Sequence, residues 1–184
     1  CSKDGQTVAS LGIKDSKIIK IGKIDKNDCI KTIDCKDKHI LPGIIDTQVH
    51  FREPGLSHKE DIYSGTNAAL LGGVTTIFEM PNTSPATINK MELEKKLKIA
   101  KQSSWVNYSF FIGACKENLS KLAKLEKIKG CAGIKIFMGS STGSLLLSEE
   151  KDLATALKAC KRRVALHSED ESRLKERFIK IDKT

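Results

Sequence analysis

The side chains able to do chemistry recur at equivalent places in this sequence. His50 and Arg52 follow the apolar run 43–49, and Pro81-Asn82 follows the run 74–80. Lys135 sits inside Gly-Ile-Lys-Ile-Phe-Met, and His167 closes Val-Ala-Leu-His ahead of Ser-Glu-Asp. A neutral imidazole is a metal ligand. A guanidinium is a planar fork for a carboxylate. A lysine in an apolar strand must be neutralised, paired or modified, because burying an unpaired ammonium costs several kcal/mol. Each residue also has a plainer reading. A lone His at a strand end is more often a hydrogen-bonded structural residue, by about two to one. Arg52 could bridge to Glu53 or Asp61. Four such residues at matching strand positions turn the balance toward a site.

The elements that must position them follow from the hydrophobic pattern. Five apolar runs, 43–49, 74–80, 106–112, 133–138 and 164–167, read as strands. Runs this apolar suit parallel strands covered on both faces. Helical patterns separate them. Residues 61–71 form one, ending at Gly72-Gly73. Asn89-Lys90-Met91-Glu92 is a capping-box pattern, with Leu93, Leu97 and Ala100 at helical spacing behind it. Leu119, Leu122 and Leu125 mark a third helix, stopped at Gly130. Glu149, Glu150 and Asp152 open a fourth, with Leu153, Leu157 and Cys160 on its buried face and Lys161-Arg162-Arg163 at its end. Strand and helix in alternation predict an α/β fold with a parallel sheet. No Gly-x-Gly-x-x-Gly or Walker sequence supports a nucleotide fold. A (β/α)8 TIM-type barrel remains, and it opens its chemistry at the C-terminal ends of the strands. Such a barrel takes about 250 residues, so 184 residues would supply about five of its eight units.

Before the first run the character differs. Residues 7–13 and 18–21 read as short strands joined by Lys14-Asp15-Ser16-Lys17, with 30–33 and 39–41 as two more. The expected organisation is a small β-sandwich portion over 1–41 and a partial barrel over 42–184.

Composition excludes several classes. Hydrophobic residues are 39% and charged residues 30%, enough to form a core. No run of 18 apolar residues occurs, so no ordinary membrane helix is expected. The first residues have no apolar core, so no signal peptide is expected. They also lack an initiator Met, which suggests a longer parent chain. The net charge of +9 invites a nucleic-acid reading. The basic residues are dispersed, with Lys95, Lys96, Lys98, Lys121, Lys124 and Lys127 assigned to solvated helix faces. Only 5% of residues are aromatic, and no basic stripe interleaves with them. The segment Gly139–Gly143 reads as a strand-to-helix turn rather than an anion nest, by about three to one. The six cysteines make no Cys-x-x-Cys. Cys131 and Cys160 read as small core residues, and reduced thiols in a cytoplasm are expected.

The stretch Asp46-Thr-Gln-Val-His-Phe-Arg-Glu-Pro-Gly55 resembles the dihydroorotases of the amidohydrolase superfamily, in the hydantoinase-like branch. Supporting segments are Leu-Pro-Gly-Ile-Ile-Asp (41–46), Gly-Leu-Ser-His-Lys-Glu-Asp (55–61), Gly-Gly-Val-Thr-Thr (72–76), Met-Pro-Asn-Thr (80–83), Phe-Met-Gly-Ser-Ser-Thr-Gly (137–143) and His-Ser-Glu-Asp (167–170). The 55–61 segment favours dihydroorotase over allantoinase and hydantoinase. The resemblance implies a zinc-dependent barrel that interconverts dihydroorotate and carbamoyl-aspartate in pyrimidine synthesis. It implies that His50, a carboxylated Lys135 and His167 hold zinc, and that Arg52 and Asn82 hold the substrate carboxylate. A water bridging the two cations would have its pKa lowered toward about 7. Glu53 and Asp46 would orient the ligands. The resemblance also implies a homo-oligomer for a full-length chain.

Two departures from the pattern stand out. Gln48 occupies the position of the first His of the family's His-x-His pair, and an amide oxygen is a poor zinc ligand beside imidazole nitrogen. The family's sixth-strand His and eighth-strand Asp, its base, have no counterpart up to Thr184. No turnover is therefore expected from the isolated chain, and an open five-stranded sheet is not expected to be stable alone. Two readings follow: the N-terminal portion of a hydrolase, or a degenerate relative acting as a scaffold, for example to a transcarbamoylase.

Overall fold

The computed structural model describes residues 5–139 and 145–181. The chain divides into two compact units, Cys1–Pro42 and Gly43–Thr184.

In the first unit, β1 (Ser10–Lys14) and β2 (Lys17–Gly22) pair antiparallel as a hairpin. Asp15 and Ser16 carry it through the turn with φ of 50° and 61°, the left-handed region that a tight hairpin of right-twisted strands requires. A 3-10 turn follows at Lys26–Asp28, where the Asp25 side chain accepts the Asn27 amide. The expected strands at 30–33 and 39–41 do not form. Both segments lack regular structure, and Ile30 and Ile33 are exposed. An apolar run becomes a strand only where a neighbour takes its backbone hydrogen bonds, and no third strand joins this sheet among the described residues.

The second unit holds the site. Its sheet contains β3 (Ile44–Val49), β4 (Val74–Glu79), β5 (Asn107–Gly113), β6 (Cys131–Phe137) and β7 (Val164–His167). All are parallel and lie in chain order. Burial is graded across it. Every residue of β6 is buried, whereas four of the six in β3 are exposed. The expectation of strands covered on both faces therefore holds for the centre of the sheet and fails at its edges.

Helices α1 (Ile62–Leu71), α2 (Lys90–Ser103), α3 (Leu122–Leu125), α4 (Glu150–Ala159) and α5 (Glu171–Ile181) complete the unit. Asp61 caps α1 by accepting the Ser64 amide at 2.7 Å, and Asn89 caps α2 by accepting the Glu92 amide at 3.0 Å. The Glu92 carboxylate pairs with Lys95 at 2.8 Å. The third predicted helix is a 3-10 stretch, Lys116–Lys121, followed by the single turn of α3. In α4 the buried position is Ala156, while Leu157 is 42% exposed. Its inward stripe therefore runs through 153, 156 and 160 rather than 153, 157 and 160.

Two apolar layers sandwich the sheet. The larger holds Ile77, Phe110, Ile112, Ile134 and Ile136 against Leu93 and Ala100 of α2 and Ala156 of α4. It includes Cys131 and Cys160, both buried as expected. The smaller lies on the opposite face and gathers Met80, Phe111 and Ala132 with Phe78 and Ala165. In a barrel this second face is the interior.

Candidate active site

Lys135 is the central feature. It lies within β6, is 1% exposed, and pairs in register with Gly113 of β5 and Ala165 of β7. Neighbours in register share a face of a sheet, and Ala165 packs with Met80 and Phe111. Lys135 therefore belongs to the inner face. Its Nζ stands 5.0 Å from the centre of the Phe137 ring. No carboxylate of the described residues makes an ion pair with it, and burial pushes its pKa down. A low pKa raises the fraction of neutral amine, the form that adds to carbon dioxide to give a carbamate.

His50 follows the end of β3. Its Nδ1 lies 2.9 Å from Oδ1 of Asn82, which follows β4. An amide oxygen only accepts, so Nδ1 carries the hydrogen and the lone pair of neutral His50 resides on Nε2. That is the tautomer a ligand imidazole needs. Burial lowers the His50 pKa; the positive charges of Arg52, Lys135 and Lys96 act in the same direction, and the Asn82 bond opposes them. Asn82 is 5% exposed. Its backbone carbonyl accepts from Arg52 Nη1 at 3.3 Å. His50, Arg52 and Asn82 thus form one cluster, with Lys135 near enough to act on it electrostatically.

The loops that carry this cluster are closely built. Phe51 tucks beneath α1, where a Cβ on Gly65 would lie 2.6 Å from its ring. Gly55, at φ 90°, passes so near the Ser84 carbonyl that a side chain there would collide with it. Leu56 donates its amide to the Arg52 carbonyl at 3.1 Å.

His167 ends β7 beside Phe137, its partner in register, with ring centres 5.9 Å apart. It shares the Lys135 face. Its Nε2 lies 3.1 Å from Glu169 Oε1, and no contact joins it to His50. Gln48 is exposed, and its backbone N–H donates to Asp46 Oδ1 at 3.0 Å. Glu53 accepts the Ile62 amide at 2.8 Å. Asp46 and Glu53 therefore serve the backbone of β3 and the start of α1. No group of three His, Cys, Asp or Glu able to hold a metal occurs among the described residues. A neutral imidazole and a buried amine without an anion beside it suit a zinc site; the exposed amide of Gln48 does not. Positions 140–143 of the glycine-bounded turn lie outside the described residues.

Sequence reasoning missed one buried pair. Lys96, assigned to a solvated face, is 1% exposed on α2 and forms an ion pair with Glu79, equally buried at the end of β4.

A family model for dihydro-orotase-like proteins matches residues 37–173. The chain belongs to the dihydroorotase-like family. Among curated relatives of this family, a dihydroorotase of Methanosarcina mazei is 41% identical over 169 residues, covering 89% of this chain and 36% of that protein. An allantoinase of Desulfitobacterium hafniense is 38% identical over 135 residues, covering 73% of this chain and 30% of its own length. The L-hydantoinase (dihydropyrimidinase) of Arthrobacter aurescens superposes with a TM-score of 0.86 at 29% identity, over 98% of this chain and 42% of that one. These relatives are cyclic amidohydrolases, and this dihydroorotase-like chain spans about a third of the length of the dihydroorotases it matches. No described helix is long and apolar enough to cross a membrane.

Proposed function

We propose that this chain carries the Lys135 side of a zinc-dependent dihydroorotase site, for reversible hydrolysis of dihydroorotate to N-carbamoyl-aspartate. The observation that carries this is Lys135, closed off on the inner face with no described anion against it. As a carbamate it would become an anion suited to a divalent metal. His50 through Nε2 and His167 would be the imidazole ligands. Zinc, when bound, supplies a Lewis acid for the ring carbonyl and a more acidic water. Arg52 binds the substrate carboxylate through its guanidinium, and Asn82 orients both Arg52 and His50. Asn82 thus acts as an aligner at least as much as a carboxylate contact.

Gln48 favours a second reading, a relative that keeps the fold without turnover and serves as a partner protein. Zinc content and carbamoyl-aspartate cyclisation, measured on this chain and on any longer product of its gene, separate the two. At least one zinc per chain with turnover is the expected result for the longer product. Less than one zinc and no product would overturn the enzyme reading. Gln48→His is expected to raise zinc affinity by about tenfold or more, and an unchanged affinity removes position 48 from the ligand set.

A further inference from the structure

The loop 81–88 carries Asn82 between the end of β4 and the start of α2. Within it, the Pro81 carbonyl accepts the amides of Thr83 and Thr87, each at 2.9 Å, and Thr83 Oγ1 donates to the Pro85 carbonyl at 2.8 Å. Toward β3 the loop is tied by the Ser84 amide, which donates to the Pro54 carbonyl at 3.0 Å. Toward β5 it is tied through Asn118 and Gly113. Asn118, in the 3-10 stretch after β5, is 5% exposed. Its Nδ2 donates to the Ile88 carbonyl and to the Gly113 carbonyl, each at 2.8 Å, and its Oδ1 accepts the Cys115 amide at 3.0 Å. Both hydrogens of the carboxamide are thus in use. The Gly113 amide donates to the Thr87 carbonyl at 2.9 Å, and a Cβ on Gly113 would lie 3.3 Å from the Pro81 ring. The same end of β5 is bound to the lysine strand. Gly113 pairs in register with Lys135, and the Ala114 amide donates to the Lys135 carbonyl at 2.8 Å.

We propose that Asn118 is a positioning residue: its carboxamide ties the loop 81–88 to the end of β5, and so places Asn82 where its Oδ1 holds His50 with the hydrogen on Nδ1 and the lone pair on Nε2. This deepens the metal-dependent hydrolase reading and rests on it for the use made of that lone pair. A residue that only capped its own turn would need the acceptor oxygen alone. The donor half of Asn118 is spent on two carbonyls, one of them 30 residues away at the end of the Asn82 loop. The other belongs to Gly113, the register partner of Lys135, so one side chain sets the loop of Asn82 against the strand of the lysine.

The test separates the two halves of the carboxamide. Asn118→Asp, as a carboxylate at pH 8, keeps the size and the acceptor for Cys115 and has no hydrogen for either carbonyl. Asn118→Ala removes both halves without burying a charge. Ala156→Gly, in α4, is the control for general destabilisation. The full chain is studied by NMR without metal. The ring tautomer of His50 is read from long-range proton–nitrogen correlations, and hydrogen exchange is read at the Gly113 amide. Wild type and Ala156→Gly are expected to hold the Nδ1–H form. Both Asn118 variants are expected to show a mixture with the Nε2–H form, and to exchange the Gly113 amide about tenfold faster or more, with the amides of β6 protected as in wild type. Zinc is then titrated, and Asn118→Ala is expected to bind it about tenfold more weakly than wild type. An unchanged His50 tautomer in the Asn118 variants overturns the proposal. So does an Asn118→Asp chain that behaves as wild type, which would leave only the cap of the turn, and so does the same tautomer shift in Ala156→Gly. A shifted tautomer with unchanged zinc affinity overturns it as well. If Asn118→Asp does not fold, Asn118→Ala against Ala156→Gly decides alone. A wild-type chain that binds no zinc overturns the hydrolase reading instead, and the metal-free tautomer comparison still decides whether Asn118 places Asn82.

Discussion

Lys96 and Lys135 are two lysines with almost no solvent-accessible surface. Each is 1% exposed. Each places Nζ 5.0 Å from the centre of a phenylalanine ring, Phe110 for one and Phe137 for the other. They lie on opposite faces of one sheet, and their company differs. Lys96 has a carboxylate and a carbonyl. Lys135 has the ring and no carboxylate of the described residues. Burial alone pushes the Lys135 pKa down, whereas at Lys96 the attraction of Glu79 works against burial. The helix-side lysine is a finished piece of structure. The inner-face lysine holds a chemical debt that a carbamate and a metal would settle, and this is why the second, rather than the first, reads as functional.

The comparison breaks most visibly at Lys96. Lys96→Ala leaves Glu79 buried and unpaired, an expected loss of about 3–5 kcal/mol, measured by urea denaturation at pH 7. In that variant the folded-state pKa of Glu79 is raised above its unfolded value. The penalty is therefore absent below the unfolded value, grows as pH rises through it, and levels off above the folded one. The deficit against wild type should shrink on acidification. A deficit that grows instead would show that Glu79 is not the group left stranded.

Lys135→Met should act in the opposite direction. Without metal and bicarbonate, an apolar side chain of similar shape is expected to leave stability unchanged or raise it by about 1–2 kcal/mol. Zinc affinity measured in parallel should fall about tenfold or more. A large loss of stability in the metal-free protein would mean that Lys135 already has a partner, and the contrast would vanish.

The smallest effect sets the scale for an exposed carboxylate. Asp61→Ala removes the cap of α1 and should cost about 1 kcal/mol, seen as a small drop in the thermal midpoint. The bonds from the Ser64 side chain and amide hold the Asp61 pKa below its ordinary value. Its contribution is thus present above the unfolded pKa and lost as pH falls through the folded one, the reverse of the Glu79 penalty in Lys96→Ala.

Much of this was legible beforehand. The run 164–167 became β7 residue for residue, and the other four strands shifted by no more than two residues at either end, because buried parallel strands are written as unbroken apolar runs. The grouping of His50, Arg52 and Asn82 also followed from their places after successive strands. Lys96 was misread for an instructive reason. Leu93, Leu97 and Ala100 define the buried stripe of α2, and 96 falls on that stripe by spacing alone. The usual preference of lysine for solvent masks what that position dictates. Glu79 gave no signal, because a carboxylate that ends an apolar strand looks like the start of a loop. The runs at 30–33 and 39–41 have a strand's composition and gained no neighbour to pair with. The tautomer of His50 could not be read at all, since it depends on Asn82, 32 residues away.

The order of the parallel sheet has a further meaning. Each strand from β4 to β7 lies beside the one made just before it. A chain leaving the ribosome at about 5–20 residues per second can therefore lay each new strand against a neighbour already in place, with no need to hold an unmatched segment in reserve. His50 and Asn82 follow the first two strands in that order, and Lys135 lies in the fourth.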